Sequence, residues 1–132
     1  MIGKNRIAMK KFLMLFILFL SSCSNDDLEI IENPITGVKI QVAKKDFSNK
    51  MTHFEATEAC ESLGEGWRLP SRDELKELYL NKKRIGGFSS GFYWSSLETD
   101  EGYCHWSIGF GNGNEVKHDF DTKVYVRAIR DL

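Results

Sequence analysis

Three short segments rich in aromatic and turn residues constrain the fold of this chain more than any other feature. Residues 66–71 read Gly-Trp-Arg-Leu-Pro-Ser, residues 92–96 read Phe-Tyr-Trp-Ser-Ser, and residues 125–130 read Tyr-Val-Arg-Ala-Ile-Arg. They combine aromatic anchors, a Pro-Ser helix start and a closing strand that alternates apolar and basic residues. The pattern is typical of a small irregular domain that displays loops on a fixed core, and it does not indicate a domain built around a catalytic group.

Two capping boxes predict two helices. Thr52 with Glu55 opens a helix that runs to about residue 63, and Ser71 with Glu74 opens a second that stops before the glycine pair at 86–87. In each box the side chains satisfy backbone N–H groups that a first helical turn leaves free. The spacing of apolar residues predicts buried faces that contain Phe54, Ala59 and Leu63 in the first helix and Leu75, Leu78 and Tyr79 in the second.

The rest of the domain is predicted to be strands and turns. Period-two alternation predicts strands at residues 37–43, 92–96, 103–110, 115–120 and 124–130, and the Gly-Asn-Gly-Asn run at 111–114 predicts a tight hairpin. Two helices followed by a meander indicate an α+β fold with a mostly antiparallel sheet. Within 103–110 the alternation predicts an inward face of Cys104, Trp106, Ile108 and Phe110 and an outward face of Tyr103, His105, Ser107 and Gly109.

The N-terminus is typical of an exported lipoprotein. Four basic residues precede a nine-residue apolar run at 12–20, which would span about 13 Å as a helix and is too short to cross a membrane. The tetrad Leu20-Ser21-Ser22-Cys23 resembles a bacterial lipobox, and this implies that Cys23 carries the acyl chains, palmitate among them. A plain signal peptide with an incidental cysteine is the alternative.

We therefore expect a signal peptide at 1–22, the lipidated Cys23 with an acidic tether at 23–33, and one folded domain at 34–132. The acidic run resembles the surface-export signal of Bacteroidota lipoproteins, although a solvated linker has the same composition. The expected location is the bacterial cell envelope, as an outer-membrane lipoprotein whose domain is periplasmic or surface-exposed.

The charge of the mature chain argues against a nucleic-acid partner. The leader holds four of the 18 basic residues and none of the 19 acidic ones, which leaves 14 basic residues against 19 acidic. Binding to phosphates requires a basic surface. The expected partners are the membrane, through the lipid at Cys23, and a protein or glycan ligand.

Cys60 and Cys104 remain once Cys23 is assigned to lipid. In an oxidising compartment an even pair predicts a disulfide, which for a loop of about 45 residues would stabilise the fold by roughly 4 kcal/mol. Two free thiols are the alternative.

The order of the motifs resembles one group of bacterial C-type lectin-like domains. The helix with Cys60 is followed by the 66–71 segment, by Tyr-Trp-Ser-Ser at 93–96 and by Val-Arg-x-x-Arg at 126–130. This order is similar to the C-terminal domain of collagen-like bacterial adhesins and to the major paralogous domain of secreted bacterial proteins. The resemblance covers residues 52–130 and implies a C-type lectin-like fold, in which two helices flank a small twisted sheet.

The same resemblance implies a structural role for Trp67, Leu69 and Trp94, which we expect in the core. It also bears on the cysteines. The family has a cysteine in the closing strand where this chain has Ala128. Cys60 therefore lacks its usual partner, and Cys104 would have to replace that partner from a neighbouring strand.

A second resemblance covers residues 94–130, which look like the tail of variable proteins diversified by retroelements. Such tails alternate a fixed apolar scaffold, here Trp106, Ile108 and Phe110, with residues that mutated Asn codons generate. A plain β-meander with polar outward residues alternates in the same way, so both interpretations stay open. The variable positions that the resemblance implies are His105, Ser107, Gly109, Gly111, His118, Asp119 and Asp121.

The chain carries no evident catalytic constellation. Its three histidines lack metal-ligand spacing, and the serine pairs at 89–90 and 95–96 lie in no nucleophile motif. Glu115, Asp119 and Asp121 could offer oxygen ligands to calcium, but they lack EF-hand spacing, and the sugar motifs of calcium-dependent lectins are absent. We expect a protein that is not an enzyme and that needs no cofactor or metal.

Ligand binding by an anchored domain is therefore the predicted function. Tyr, Asn, Ser and His suit adaptable polar recognition. The alternative is a structural or accessory subunit of an envelope complex that has no ligand of its own. The predicted ligand-binding residues are Tyr103, His105, Ser107, Asn112, Asn114, His118, Asp119 and Asp121.

The lipobox generates the first prediction. The Cys23→Ala variant should leave the membrane fraction and lose palmitate labelling, because acyl chains contribute about 0.8 kcal/mol of membrane affinity per buried methylene. Residues 34–132 should still fold, since the anchor and the predicted core share no residue, and circular dichroism checks this. A variant that stays in the membrane fraction and still incorporates palmitate would show that the anchor lies elsewhere.

Overall fold

The computed structural model describes residues 28–33, 36–98 and 102–132. The predicted signal peptide and Cys23 lie outside the described residues, as does most of the predicted tether. Among the described residues, no helix has the length and apolar character that crossing a membrane requires.

The described chain forms three helices and two antiparallel sheets, so the α+β prediction is confirmed. The helices are α1 (His53–Ser62), α2 (Arg72–Leu80) and α3 (Lys82–Ile85). The strands are β1 (Glu29–Glu32), β2 (Lys39–Val42), β3 (Trp67–Arg68), β4 (Phe92–Glu98), β5 (Cys104–Gly109), β6 (Glu115–Asp119) and β7 (Ile129–Asp131). One sheet has the order β1-β2-β7-β3 and the other the order β4-β5-β6.

Strand β1 changes the predicted start of the domain. It pairs with β2 in antiparallel register, with Ile31 opposite Ile40, and both side chains are buried. Composition predicted a tether through residue 33, but the alternation of Ile30, exposed, with Ile31, buried, is that of an edge strand. The folded unit therefore includes residues ahead of the predicted boundary at 34.

Helix α1 begins where its capping box predicts. The Thr52 hydroxyl accepts a hydrogen bond from the Glu55 backbone N–H, and the Glu55 carboxylate accepts one from the Thr52 N–H. The predicted buried face is wrong, however, because Phe54 and Leu63 are exposed while Ala56 and Cys60 are buried. Small residues face the interior here, and they let the helix approach the bulky core residue Trp94 closely.

Helix α2 matches its prediction in both start and packing. Ser71 and Glu74 form a second capping box, and Leu75 and Leu78 are fully buried. They join Ile108 in a core cluster against which Tyr79 packs. The structure divides the predicted helix after Leu80, and α3 ends at Ile85, before the glycine pair, as predicted.

A second core cluster surrounds Trp94, which is fully buried together with Cys60 and Ala128. The indole N–H of Trp94 donates to the Met51 carbonyl at 2.8 Å, so the buried polar atom is satisfied. The predictions for Trp94 and Leu69 are therefore confirmed. Trp67 differs, because it is only half-buried at the margin of this cluster, with the Arg130 guanidinium 5.0 Å from its ring centroid.

The predicted disulfide is absent from the structure: Cys60 and Cys104 are both thiols that are not bonded to each other. Cys104 precedes His105, which stacks on α1, so strand alternation turns Cys104 toward the opposite face of the sheet. Its thiol contacts the Asp119 carboxylate at 3.4 Å. Burial raises the pKa of Cys60 to about 12, so its thiol stays protonated beside Ala128.

The contrast between the two tryptophans is testable. Trp94→Ala should lower the free energy of unfolding by about 3–5 kcal/mol, because it empties a filled core site. Trp67→Ala should cost less, roughly 1–2 kcal/mol, because part of the side chain already contacts solvent. Urea unfolding of both variants measures the difference, and equal losses would contradict the burial described here.

Candidate functional site

A cleft with a volume of about 710 Å³ gathers aromatic and polar side chains from several elements. It opens between α1, β3 and the turn that follows β6, with the start of β5 on its floor. Helix α1 contributes one side through the i, i+4 spacing of His53, Thr57 and Glu61. The cleft is also lined by Phe54, Trp67, Arg68, His105, Phe120 and Asp121.

A pair of stacked histidines forms part of the cleft. The rings of His53 and His105 lie parallel, with centroids 3.5 Å apart, and both meet the edge or face of Trp94. His53 is fixed further by a hydrogen bond of 2.9 Å between its Nε2 and the Ser95 carbonyl oxygen. Because Trp94 is anchored in the core, these two rings have little freedom to rearrange when a ligand enters.

Two exposed phenylalanines line the same cleft. Phe54 in α1 is 71% exposed and Phe120 after β6 is 64% exposed, and both keep apolar surface in contact with solvent. Trp67 adds a third aromatic ring. A single exposed apolar residue is ordinary, but aromatic residues from separate elements that line one cleft are typical of a binding surface.

Arg68, a basic residue that lines the cleft, is held by two acidic partners. Arg68 donates to Glu74 at 2.8 Å and to Asp131 at 2.7 Å, and the hydrogen bond with Glu74 raises the pKa of its guanidinium. Burial by itself raises the pKa of Glu74. The hydrogen bonds with Arg68 and Ser71 lower that pKa by more than burial raises it, so the carboxylate stays ionised. The positive charge of Arg68 is thus already matched by two acids.

The predicted ligand-binding residues lie in several different parts of the structure. His105 and Asp121 line the cleft. The prediction that His105 and Ser107 face outward is wrong: they are 8% and 0% exposed. Both faces of β5 are covered, since Ile108 packs with the α2 residues and the opposite face lies against α1 and Trp94. The Ser107 hydroxyl is satisfied by the Val116 carbonyl at 3.1 Å.

Ser107 and five other predicted residues lie outside the cleft. Asn112 and Asn114 are exposed in the hairpin, where the Asn112 side chain accepts from the Asn114 N–H at 3.0 Å. The hairpin follows the C-terminal end of β5. That end lies about 13 Å along the strand from His105. Tyr103 and Asp119 are exposed, and His118 is half-buried. The predicted single binding face is therefore not one surface.

Close neighbours also limit two of the sites with predicted variability. A Cβ atom at Gly109 would meet the Phe92 ring at 3.1 Å, and one at Gly111 would meet the Ser90 carbonyl at 3.1 Å. A larger side chain at either position would require its neighbours to shift. The resemblance to diversified tails otherwise stays a prediction.

Sequence reasoning missed most residues of the cleft, including the aromatic residues His53, Phe54, Trp67 and Phe120. The periodicity placed Phe54 in the core, and the motif resemblance did the same for Trp67. A signal was present for Phe120, because its aromatic ring stands among the polar residues 117–123. Across the described ranges, no three His, Cys, Asp or Glu side chains come together as ligands for a metal ion.

No protein-family model matches this chain, and no curated protein matches it. A solved structure is similar in fold: a chain of the complex between a mutant von Willebrand factor A1 domain and botrocetin. The TM-score is 0.55 at 12% sequence identity, and the match covers 83% of this chain and 99% of that chain. At this identity the likeness concerns the fold alone. It supports a mixed helix-and-sheet domain and does not by itself identify a C-type lectin-like fold.

His118 generates a prediction about pH. Its Nε2 is buried without a hydrogen-bond partner among the described residues, and its ring meets Phe92 and Trp94 edge-on. Burial lowers the pKa of His118, against the opposing effect of Asp119. Since the folded-state pKa lies below the unfolded value of about 6.5, the neutral ring contributes stability above that pH, and this contribution falls as the pH drops.

We therefore expect the free energy of unfolding to decrease from pH 7 to pH 5, and to decrease less in His118→Gln. Urea unfolding at the two pH values measures both proteins. An NMR titration that gave His118 a pKa above that of a histidine in a short peptide would contradict this account.

Proposed function

We propose that this protein is a cell-envelope lipoprotein that displays a C-type lectin-like module, and that the module binds a protein or glycan ligand in the cleft beside α1. The observation that carries the proposal is the exposure of Phe54 and Phe120 at 71% and 64% on two different elements of one cleft. Aromatic rings held in this way offer apolar contact area at a low cost in conformational entropy.

The elements that hold the cleft side chains are rigid, which favours a preformed binding site over one that rearranges around its ligand. Phe54 projects from a helix with a complete capping box, and the histidine pair rests on a fully buried tryptophan. Side chains held by rigid elements lose little entropy on binding, so more of the contact energy contributes to affinity. A cleft of about 710 Å³ has the size of sites that take small ligands or a few units of a chain.

Two independent lines support the lectin-like part of the proposal. The motifs at 66–71, 93–96 and 126–130 resemble those of bacterial C-type lectin-like domains, and the α+β fold has the helices and antiparallel strands that this resemblance implies. The resemblance implies that a cysteine at position 128 would be the partner of Cys60, and Ala128 does pack in the same buried cluster as Cys60. The lipoprotein part rests on the tetrad at 20–23 and the signal-peptide pattern.

A glycan and protein array tests the proposal. The probe is the mature chain with Cys23→Ala, which keeps every described helix and strand. We expect specific binding to a ligand on the array, and we expect Phe54→Ser with Phe120→Ser to reduce that binding at least tenfold, because two apolar contacts of about 1 kcal/mol each are lost.

Leu80→Ser is the matched control. Leu80 is also 71% exposed and also lies in a helix, but it is not part of the cleft. It should bind as well as the parent protein, with melting temperatures unchanged in all three proteins. Binding that survives the double phenylalanine change would move the site elsewhere. No binding to any probe, together with copurification of an envelope complex, would favour the structural-subunit alternative.

A further inference from the structure

We infer that the ligand of this cleft carries a positive charge on an apolar body, such as a primary or quaternary ammonium group. The inference deepens the proposed function, because it names the chemical class that the same cleft would select. It stands on the distribution of charge around the cleft and on the aromatic rings that line it.

Two carboxylates in the cleft have no counter-charge. Glu61 in α1 and Asp121 after β6 are both exposed, and neither makes an ion pair with a described residue. Arg68 is the one Lys or Arg among the described residues that line the cleft, and its charge is matched by Glu74 and Asp131. With histidines counted as neutral, the cleft therefore presents an excess of negative charge.

The position of Glu61 adds to this effect. It lies in the last turn of α1, and that turn contains no basic residue. The carbonyl end of a helix carries a partial negative charge, which a cation placed near it would offset. Glu61 therefore reinforces the negative end of the helix dipole at the edge of the cleft, where a side chain chosen for stability alone would be lysine or arginine.

The aromatic residues also favour a ligand with a positive charge. The faces of Phe54 and Phe120 carry the negative part of the ring quadrupole, so they attract a cation that also has an apolar surface, whereas Trp67, which already has the Arg130 guanidinium 5.0 Å from its ring centroid, adds apolar surface. Apolar walls further concentrate the field of the two carboxylates inside the opening. The described lining offers a carboxylate or phosphate ligand no unpaired Lys or Arg. A neutral ligand would leave both carboxylates uncompensated.

The experiment compares two probes of the same shape. Choline and 3,3-dimethylbutan-1-ol differ in that a quaternary nitrogen replaces a quaternary carbon, so shape and apolar surface are matched while the charge is not. Each is titrated into the isotope-labelled mature chain with Cys23→Ala, and amide chemical shifts are followed. We expect choline to give saturable shifts at residues that line the cleft, and at least tenfold weaker binding of the alcohol.

Three variants then assign the charge. Glu61→Gln and Asp121→Asn should each weaken choline binding by about fivefold to tenfold, because each removes one unit charge at close range. Glu58→Gln is the matched control, since Glu58 is exposed on the same helix but lines a different surface. It should leave the dissociation constant within twofold. Melting temperatures of the three variants check that each is folded.

The outcomes separate this inference from the proposed function. Equal binding of both probes, binding of neither, or an equal effect of Glu58→Gln would overturn the inference. If the array instead identifies a neutral or acidic ligand that the Phe54 and Phe120 changes abolish, the cleft is still the binding site and only the charge assignment fails. Loss of array binding at the cleft with choline binding intact would leave the inference standing and remove the larger ligand.

Discussion

The fold depends on one buried ion pair. The Arg127 side chain is fully buried, and its Nε donates to the Asp46 carboxylate at 2.6 Å. The same guanidinium donates to the Ala43 and Gly86 carbonyls and lies 4.0 Å from the Phe88 ring centroid, so it ties two chain segments, 43–46 and 86–88, to its own. A buried charge without partners costs far more than the pair contributes, and every segment that touches Arg127 is therefore held in place. Gly87 belongs to this arrangement, since a Cβ atom there would lie 3.2 Å from the guanidinium and its φ of 77° favours glycine.

The second oxygen of Asp46 carries this constraint to the other sheet. The Tyr93 hydroxyl donates to it and accepts from the Ser89 N–H, and burial, the largest cause, raises the pKa of the phenol. Tyr93 lies in β4 of one sheet, and Arg127 lies two residues before β7 of the other. The Asp46 carboxylate therefore links the two sheets. Because successive residues of a strand face opposite sides, fixing Tyr93 on one side directs Trp94 to the other, beneath the stacked histidines. The geometry of the cleft thus depends on an ion pair that does not line it.

Signals that act within a few residues predicted the structure well, and signals that depend on distant contacts did not. The capping boxes at Thr52 and Ser71 and the hairpin at 111–114 are local, and their elements form where expected. The alternation in β5 predicted a strand, but it could not tell that both of its faces are covered, because α1 and α2 come from earlier parts of the chain. The cleft has the same difficulty, since α1, β3, β5 and the turn after β6 each supply part of it. The sequence patterns selected two of its residues, His105 and Asp121, and the aromatic Phe120 among polar neighbours is a further signal.

Strand β1 has a consequence for how the domain would be presented. If Cys23 carries lipid as predicted, the six residues from Cys23 to Glu29 allow at most about 20 Å between the anchor and the sheet. Strand β1 forms one edge of the first sheet, and β3, which contributes Trp67 and Arg68 to the cleft, forms the other. Three strand spacings, about 14 Å, separate these edges. The domain would then stand close to the bilayer on its β1 edge and hold the opening of the cleft on the side remote from the lipid, within reach of molecules that approach from outside the membrane surface.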